Sequence, residues 1–170
     1  DGLRLVQDRP KLVRGHPWAL LTPNAVEFGR LSAALELPVP GGAGISAGER
    51  QEEVVRLAAA LEGPAVLRKG EHDIISDGRS VFSVDEPGSL KRSGGQGDVL
   101  AGSLATFLGW SRAELSQIPA DAPEPPLIAA YAASYLTRRA SAAAFRSHRR
   151  AMTAPDVLHA IGPAFAEVFE

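Results

Sequence analysis

The chain has 170 residues, 45% hydrophobic and 22% charged, with 18 basic and 20 acidic side chains giving a formal charge of −2. This is about one domain's length, enough to bury a core without disulfide or metal staples, and it excludes wholesale disorder and collagen-like repeats. The near-neutral balance removes the basic field that recruits nucleic acid, and no apolar run approaches the roughly 18 residues of a transmembrane helix. Zero cysteines exclude thiolate catalysis and Cys-ligated zinc. The four histidines, His16, His72, His148 and His159, show no ligand spacing, so no protein-built metal site is expected. The chain opens on Asp1 and its only methionine is Met152, which reads as a processed or truncated product whose N-terminal part lies upstream.

Residues 2–9 are expected to form a short helix ended by Pro10, and Trp18–Leu21 a short buried strand. Thr22-Pro23 stops that strand, and Asn24 with Glu27 has the spacing of a capping box. Phe28, Leu31 and Leu35 then predict a helix to about Leu37. Pro38–Ala47 is a glycine- and proline-rich loop. Ser46 with Glu49 forms a second capping box before a stripe of Val54, Leu57 or Ala58, and Leu61, which ends at Gly63-Pro64.

Ala65–Leu67 predicts another strand, ending at Lys69-Gly70. Ile74-Ile75 and Val81–Val84 flank Asp77-Gly78, a signal for a hairpin with a type I′ turn. The irregular stretch Pro87–Asp98 runs into a small-residue helix over Val99–Leu108. Residues 119–126 form a surface loop. Helices follow over 127–147 and 154–169; the second opens at a Thr153–Asp156 cap, carries Val157, Ile161, Phe165 and Val168 on one side, and is broken or kinked at Gly162-Pro163. Tyr131 and Tyr135, at i and i+4, read as core packing. The basic run Arg138, Arg139, Arg146, Arg149 and Arg150 reads as a solvated face. Four strands alternating with helices make this an α/β chain whose sheet is covered by helices, with one hairpin embedded.

Three segments are chemically suggestive. In Ser93-Gly94-Gly95-Gln96-Gly97-Asp98, successive glycines let backbone N–H groups converge at a helix N-terminus, which suits a phosphate. A carboxylate there is a poor phosphate ligand but a suitable base for a hydroxyl attacking the phosphoryl group; alternatively, Asp98 is an ordinary first-turn acid. Lys69-Gly70-Glu71-His72-Asp73 sits at a strand's carboxyl end, where α/β sheets bind ligands, or is simply a solvated turn. Thr22–Arg30 lies at another strand-to-helix junction, where Asn24 and Glu27 serve either a ligand or the helix cap.

With these three segments in this order, the chain resembles the ATP-dependent NAD(P)H-hydrate dehydratases of the ribokinase-like superfamily, most closely the animal form. The resemblance rests on Leu21–Leu31, Lys69–Ile74 and Gly94–Leu104, and extends through the hairpin, the C-terminal helices and the opening Asp1-Gly2-Leu3. It implies a three-layer ribokinase-like αβα sheet with helices on both faces, of which residues 1–170 would be the C-terminal portion. It implies a lyase of metabolite repair, restoring NADH and NADPH from their hydrates at the expense of ATP, with Mg²⁺ accompanying the nucleotide. Asn24, Ala25, Val26, Glu27, Phe28, Gly29 and Arg30 would contact the hydrated dinucleotide. Lys69, Gly70, Glu71, His72 and Asp73, with Gly88, Ser89, Leu90, Lys91, Arg92, Ser93, Gly94, Gly95, Gln96 and Gly97, would surround ATP. Asp98 would touch the substrate and act as the base. The implied partners are these small molecules, with no nucleic acid or membrane and a homo-oligomer left open; the implied setting is intracellular, in cytoplasm, mitochondrion or both. Two rival readings are a ribokinase-like kinase of a small alcohol, which shares the glycine loop and Asp98, and a non-catalytic nucleotide-binding fragment.

Overall fold

The computed structural model describes residues 2–42 and 44–170. Asp1, from the opening triplet, and Ala43, from the glycine/proline-rich loop, lie outside them. The chain divides into two compact units: residues up to Ser83 with Asp121–Leu127, and Val84–Ala120 with Ile128–Glu170.

The first unit runs α1 (Gly2–Asp8), a 3₁₀ turn (Pro10–Leu12), β1 (Leu20–Leu21), α2 (Ala25–Ala34), α3 (Ala47–Leu61), β2 (Ala65–Arg68), β3 (Asp73–Ser76) and all but the last residue of β4 (Val81–Val84). The strands lie in the order β1-β2-β3-β4. Strands β1 and β2 are parallel, with Leu20 opposite Ala65 and Leu21 opposite Val66. Such a pair needs a long crossover, which α2 and α3 supply. Strand β3 returns antiparallel, setting Leu67 opposite Ile75. The expected stripe on α3 is realised: Val54, Leu57, Ala58 and Leu61 are fully buried in one cluster with Phe28 and Leu31 of α2, Leu21, Val66 and Ile74. Both predicted capping boxes form, at Asn24/Glu27 and Ser46/Glu49.

Three local expectations are corrected in this unit. The strand expected over Trp18–Leu21 is only Leu20–Leu21. Helix α2 ends at Ala34 rather than Leu37, because Glu36 takes a positive φ of 56° that reverses the chain. The hairpin forms, but not on a type I′ turn, which needs positive φ at both central residues. Only Gly78 has one (91°). The Asp77 side chain closes the loop instead, its Oδ1 accepting the N–H groups of Arg79 and Ser80 at 2.8 Å each.

The second unit holds α4 (Gln96–Ala113), a 3₁₀ turn (Leu115–Gln117), most of α5 (Pro125–His148), a second 3₁₀ turn (Arg149–Ala151) and α6 (Ala154–Phe169). Its core gathers Leu136, Ala140 and Ala144 of α5, Met152, and Val157 and Ala164 of α6, with Val99 and Phe107 of α4 packed against them. Two expectations fail here. Of the two outcomes expected at Gly162-Pro163 the break does not occur, since α6 is continuous through Pro163; packing of the apolar face on both sides of the proline outweighs the one lost backbone bond. Tyr131 is 40% exposed rather than core, its ring stacked on Tyr135 at 6.4 Å. The buried stripe of α5 is instead built mostly of alanines, Ala129, Ala130, Ala133, Ala140 and Ala144, with Leu136 among them, and the small side chains permit close approach. The α/β class expected from the sequence is the one found.

Candidate functional site

In the first unit two of the three suggestive segments meet. Because β1 and β2 are parallel and in register, the chain leaves both at the same edge of the sheet. There the Lys69 N–H donates to the Pro23 carbonyl at 2.8 Å, which ties the two exits together. The Lys69 ammonium lies 3.7 Å from Glu27 Oε2. That carboxylate oxygen also accepts the Asn24 N–H at 2.7 Å, while Asn24 Oδ1 accepts the N–H groups of Val26 and Glu27 at 2.9 Å each. Asn24 and Glu27 are thus accounted for by the helix start.

Asn24, Ala25, Val26 and Arg30 are exposed and Gly29 half-buried, whereas Phe28 is a core residue with 1% exposure. Gly70, Glu71 and His72 are exposed. Asp73 is buried, and its Oδ1 accepts the Gly70 N–H at 2.9 Å, bracing the turn after Lys69.

Beneath these segments lies a network that sequence reasoning missed. Arg68, the last residue of β2, is 8% exposed. Its guanidinium donates to Glu53 Oε2 of α3 at 2.6 Å and lies 4.4 Å from the centre of the Phe28 ring. The other Glu53 oxygen accepts the Gly41 N–H at 2.5 Å. One arginine therefore joins β2, α2, α3 and the loop before α3. The available signal was a charge closing the apolar run Ala65-Val66-Leu67.

The third segment belongs to the second unit. Helix α4 begins at Gln96, inside the glycine stretch rather than after it, with Gly95 as its N-cap at φ 89° and no side-chain cap bond. Glycine is required here twice over: the φ is left-handed, and a Cβ would fall 2.8 Å from the Ala154 Cβ. The Gly95 carbonyl accepts the N–H groups of Asp98 and Val99 at 3.0 and 3.2 Å. Gly94, Gly97 and Asp98 are exposed, so the carboxylate stands in the first turn of α4, open to solvent. Leu90 is 91% exposed, Arg92 is exposed, and Gly88, Ser89, Lys91, Ser93 and Gln96 are half-buried. Ser89 N–H donates to Ser141 Oγ of α5 at 3.1 Å, and Gln96 Nε2 donates to Ser93 Oγ at 3.1 Å.

Part of the basic run is also engaged. Arg138 Nε donates to the Glu86 carbonyl at 2.5 Å, and Arg139 pairs with both Glu86 and Glu167, which together raise its guanidinium pKa, Glu167 most. The carboxylates held below the usual range, Glu49 by the Ser46 N–H and Asp156 by the Thr153 N–H, open helices α3 and α6 and lie outside the suggestive segments.

A family model described as NAD(P)H-hydrate dehydratase matches residues 1–163. Among curated relatives, the ATP-dependent (S)-NAD(P)H-hydrate dehydratase of Bos taurus is 45% identical, covering 100% of this chain and 50% of the relative. That of Mycosarcoma maydis is 42% identical over 99% of this chain and 50% of its own length. The Homo sapiens protein is 40% identical over 100% of this chain and 47% of its own. The chain thus spans about half the length of the curated relatives it matches. The crystal structure of a hypothetic protein from Streptococcus mutans superposes with a TM-score of 0.60 at 24% identity, over 89% of this chain and 47% of that one. That likeness concerns the fold alone.

Proposed function

The chain belongs to the NAD(P)H-hydrate dehydratase family, and on that premise we propose that it carries the base and the phosphate loop of an ATP-dependent repair lyase. The proposed reaction dehydrates the S-form of hydrated NADH or NADPH and releases the reduced dinucleotide, ADP and phosphate. Asp98 takes the proton of the ring hydroxyl as its oxygen attacks the γ-phosphoryl of ATP. The N–H groups at the start of α4 meet the charge developing on the phosphoryl oxygens. ADP departs as the γ-phosphoryl is transferred; phosphate then leaves from the ring carbon while the adjacent carbon gives up a proton to solvent, and the nicotinamide double bond re-forms. Hydroxide is a poor leaving group and phosphate a good one, so phosphorylation eases the elimination, and the accompanying cleavage of ATP makes the overall dehydration run downhill.

One observation carries the reading: an exposed carboxylate in the first turn of a helix capped by a left-handed glycine with no capping side chain. The allocation of Asn24–Arg30 to the dinucleotide, and of Lys69–Asp73 and Gly88–Gly97 to ATP, is part of the same proposal. Among the described residues no group of three or more His, Asp or Glu is gathered to hold a metal ion. Mg²⁺ is proposed to arrive on the phosphates of ATP, where it would help to neutralise their charge, while the chain's own Asp98 takes the proton.

The test supplies hydrated NADH and ATP to the protein bearing this chain. Return of the reduced-nicotinamide absorbance, with one phosphate released per dinucleotide restored, is the expected result. A phosphorylated product that accumulates without that absorbance would replace the lyase with a kinase.

A further inference from the structure

Lys91 lies in the segment allotted to ATP, where a lysine ordinarily suggests a direct phosphate contact. Its ammonium is directed elsewhere. Lys91 Nζ donates to the carbonyls of Arg150 and Met152 at 2.6 and 2.7 Å, both on the turn that joins α5 to α6. The Lys91 carbonyl in turn accepts from Ser89 Oγ at 2.6 Å and from Gln96 Nε2 at 3.3 Å. A single residue thereby connects the entry of the loop, the first residue of α4 and the α5–α6 turn.

That turn is a firm anchor. Met152 is fully buried in the second unit's core, and Ala154, two residues on, presses against Gly95. Helix α4 has no side-chain cap of its own, which leaves its first turn open to shaping by neighbouring segments.

We propose that Lys91 is a positioning residue for the phosphate loop: its bonds to the Arg150 and Met152 carbonyls set the backbone of Gly94–Asp98, and it does not itself hold the phosphate. The proposal rests on the ATP site described above, yet its central measurement needs no nucleotide. Amide hydrogen exchange over residues 88–99 is followed in the nucleotide-free protein, and ATP affinity by calorimetry, in the parent protein, Lys91→Met and Lys91→Arg. Lys91→Met is expected to speed exchange at Gly94–Val99 by about tenfold, the worth of a charge-assisted bond, and to weaken ATP binding by a similar factor. Lys91→Arg keeps the charge and donors, and is expected to recover most of both effects.

Unchanged nucleotide-free exchange together with weakened ATP binding would make Lys91 a phosphate ligand and overturn the proposal, as would no change in either quantity. Should Lys91→Met loosen all of α5 and α6, Gln96→Leu removes only the loop-side bonds; it must still reproduce the local acceleration, and failure to do so sinks the idea. If the parent protein binds no ATP, the functional reading fails, while the exchange data still decide whether Lys91 shapes the loop.

Discussion

Helices α2 and α4 both start in segments marked for ligand contact, and they complete their first turns in opposite ways. Helix α2 closes its own end: Asn24 and Glu27 exchange bonds with each other's backbone, and Glu27 also lies near Lys69. Helix α4 starts on Gly95, offers no capping side chain, and leaves Asp98 exposed in the first turn. Asn24 and Glu27 are accounted for by the start of α2, whereas the acid of α4 is not needed to form the helix. A residue that the fold does not require is the better candidate for chemistry.

The largest expected effect tests this contrast directly. Asp98→Asn should lower turnover by about 10²–10⁴-fold, the usual worth of a positioned base, while urea unfolding moves by only about 0.5 kcal/mol, the value of a first-turn charge. Normal turnover in that variant would erase the distinction. Gly95→Ala comes next, with a stability loss of about 2 kcal/mol from the left-handed φ and the encounter with Ala154; unchanged urea unfolding would mean that the turn is not held as described. Asn24→Ala should cost about 1 kcal/mol, because it removes the acceptor for two N–H groups, and denaturant titration would reveal it. A loss far below that value would show that α2 does not depend on its box.

The smallest effect is a pH dependence. Glu49 and Asp156 have folded pKa values lowered from 4.5 and 3.8 respectively by N–H donation, from Ser46 and Thr153. Groups of this sign contribute stability that is present above their unfolded values and lost as pH falls through the lowered folded values. Thermal midpoints recorded on descending through that acidic window should therefore fall less in Glu49→Gln and Asp156→Asn than in the parent protein. Parallel curves would remove the two carboxylates from the acid response.

What the sequence disclosed follows from how local each cause is. Capping boxes at Asn24 and Ser46 were legible because their partners sit three residues apart, and the α3 stripe because burial repeats with the helix period. The hairpin's place was legible from Asp77-Gly78, but its turn type was not, since the Asp77 side chain closes the loop in place of a second positive φ. Pro163 misled because the packing of α6 onto its core carries the helix past a local breaker. Tyr131 misled because α5 buries a stripe of small residues, leaving the ring on the outside. Lys91 and Arg68 have partners dozens of residues away in Met152 and elements distant along the chain, such as Phe28, and no spacing rule reports such pairings. Asp98 and the glycines were legible as a motif, but the missing cap on α4 is a fact of geometry.

The Arg68–Glu53 pair, with side chains only 9% and 14% exposed, restricts how this chain can drift. Neutralising either partner alone would strand the other charge away from water, at a cost of about 3 kcal/mol, a substantial share of a typical domain's margin. Two apolar residues of matching bulk could take their place together at little cost. Viable descendants of this sequence should therefore keep both members or exchange both at once, so that positions 53 and 68 change in concert.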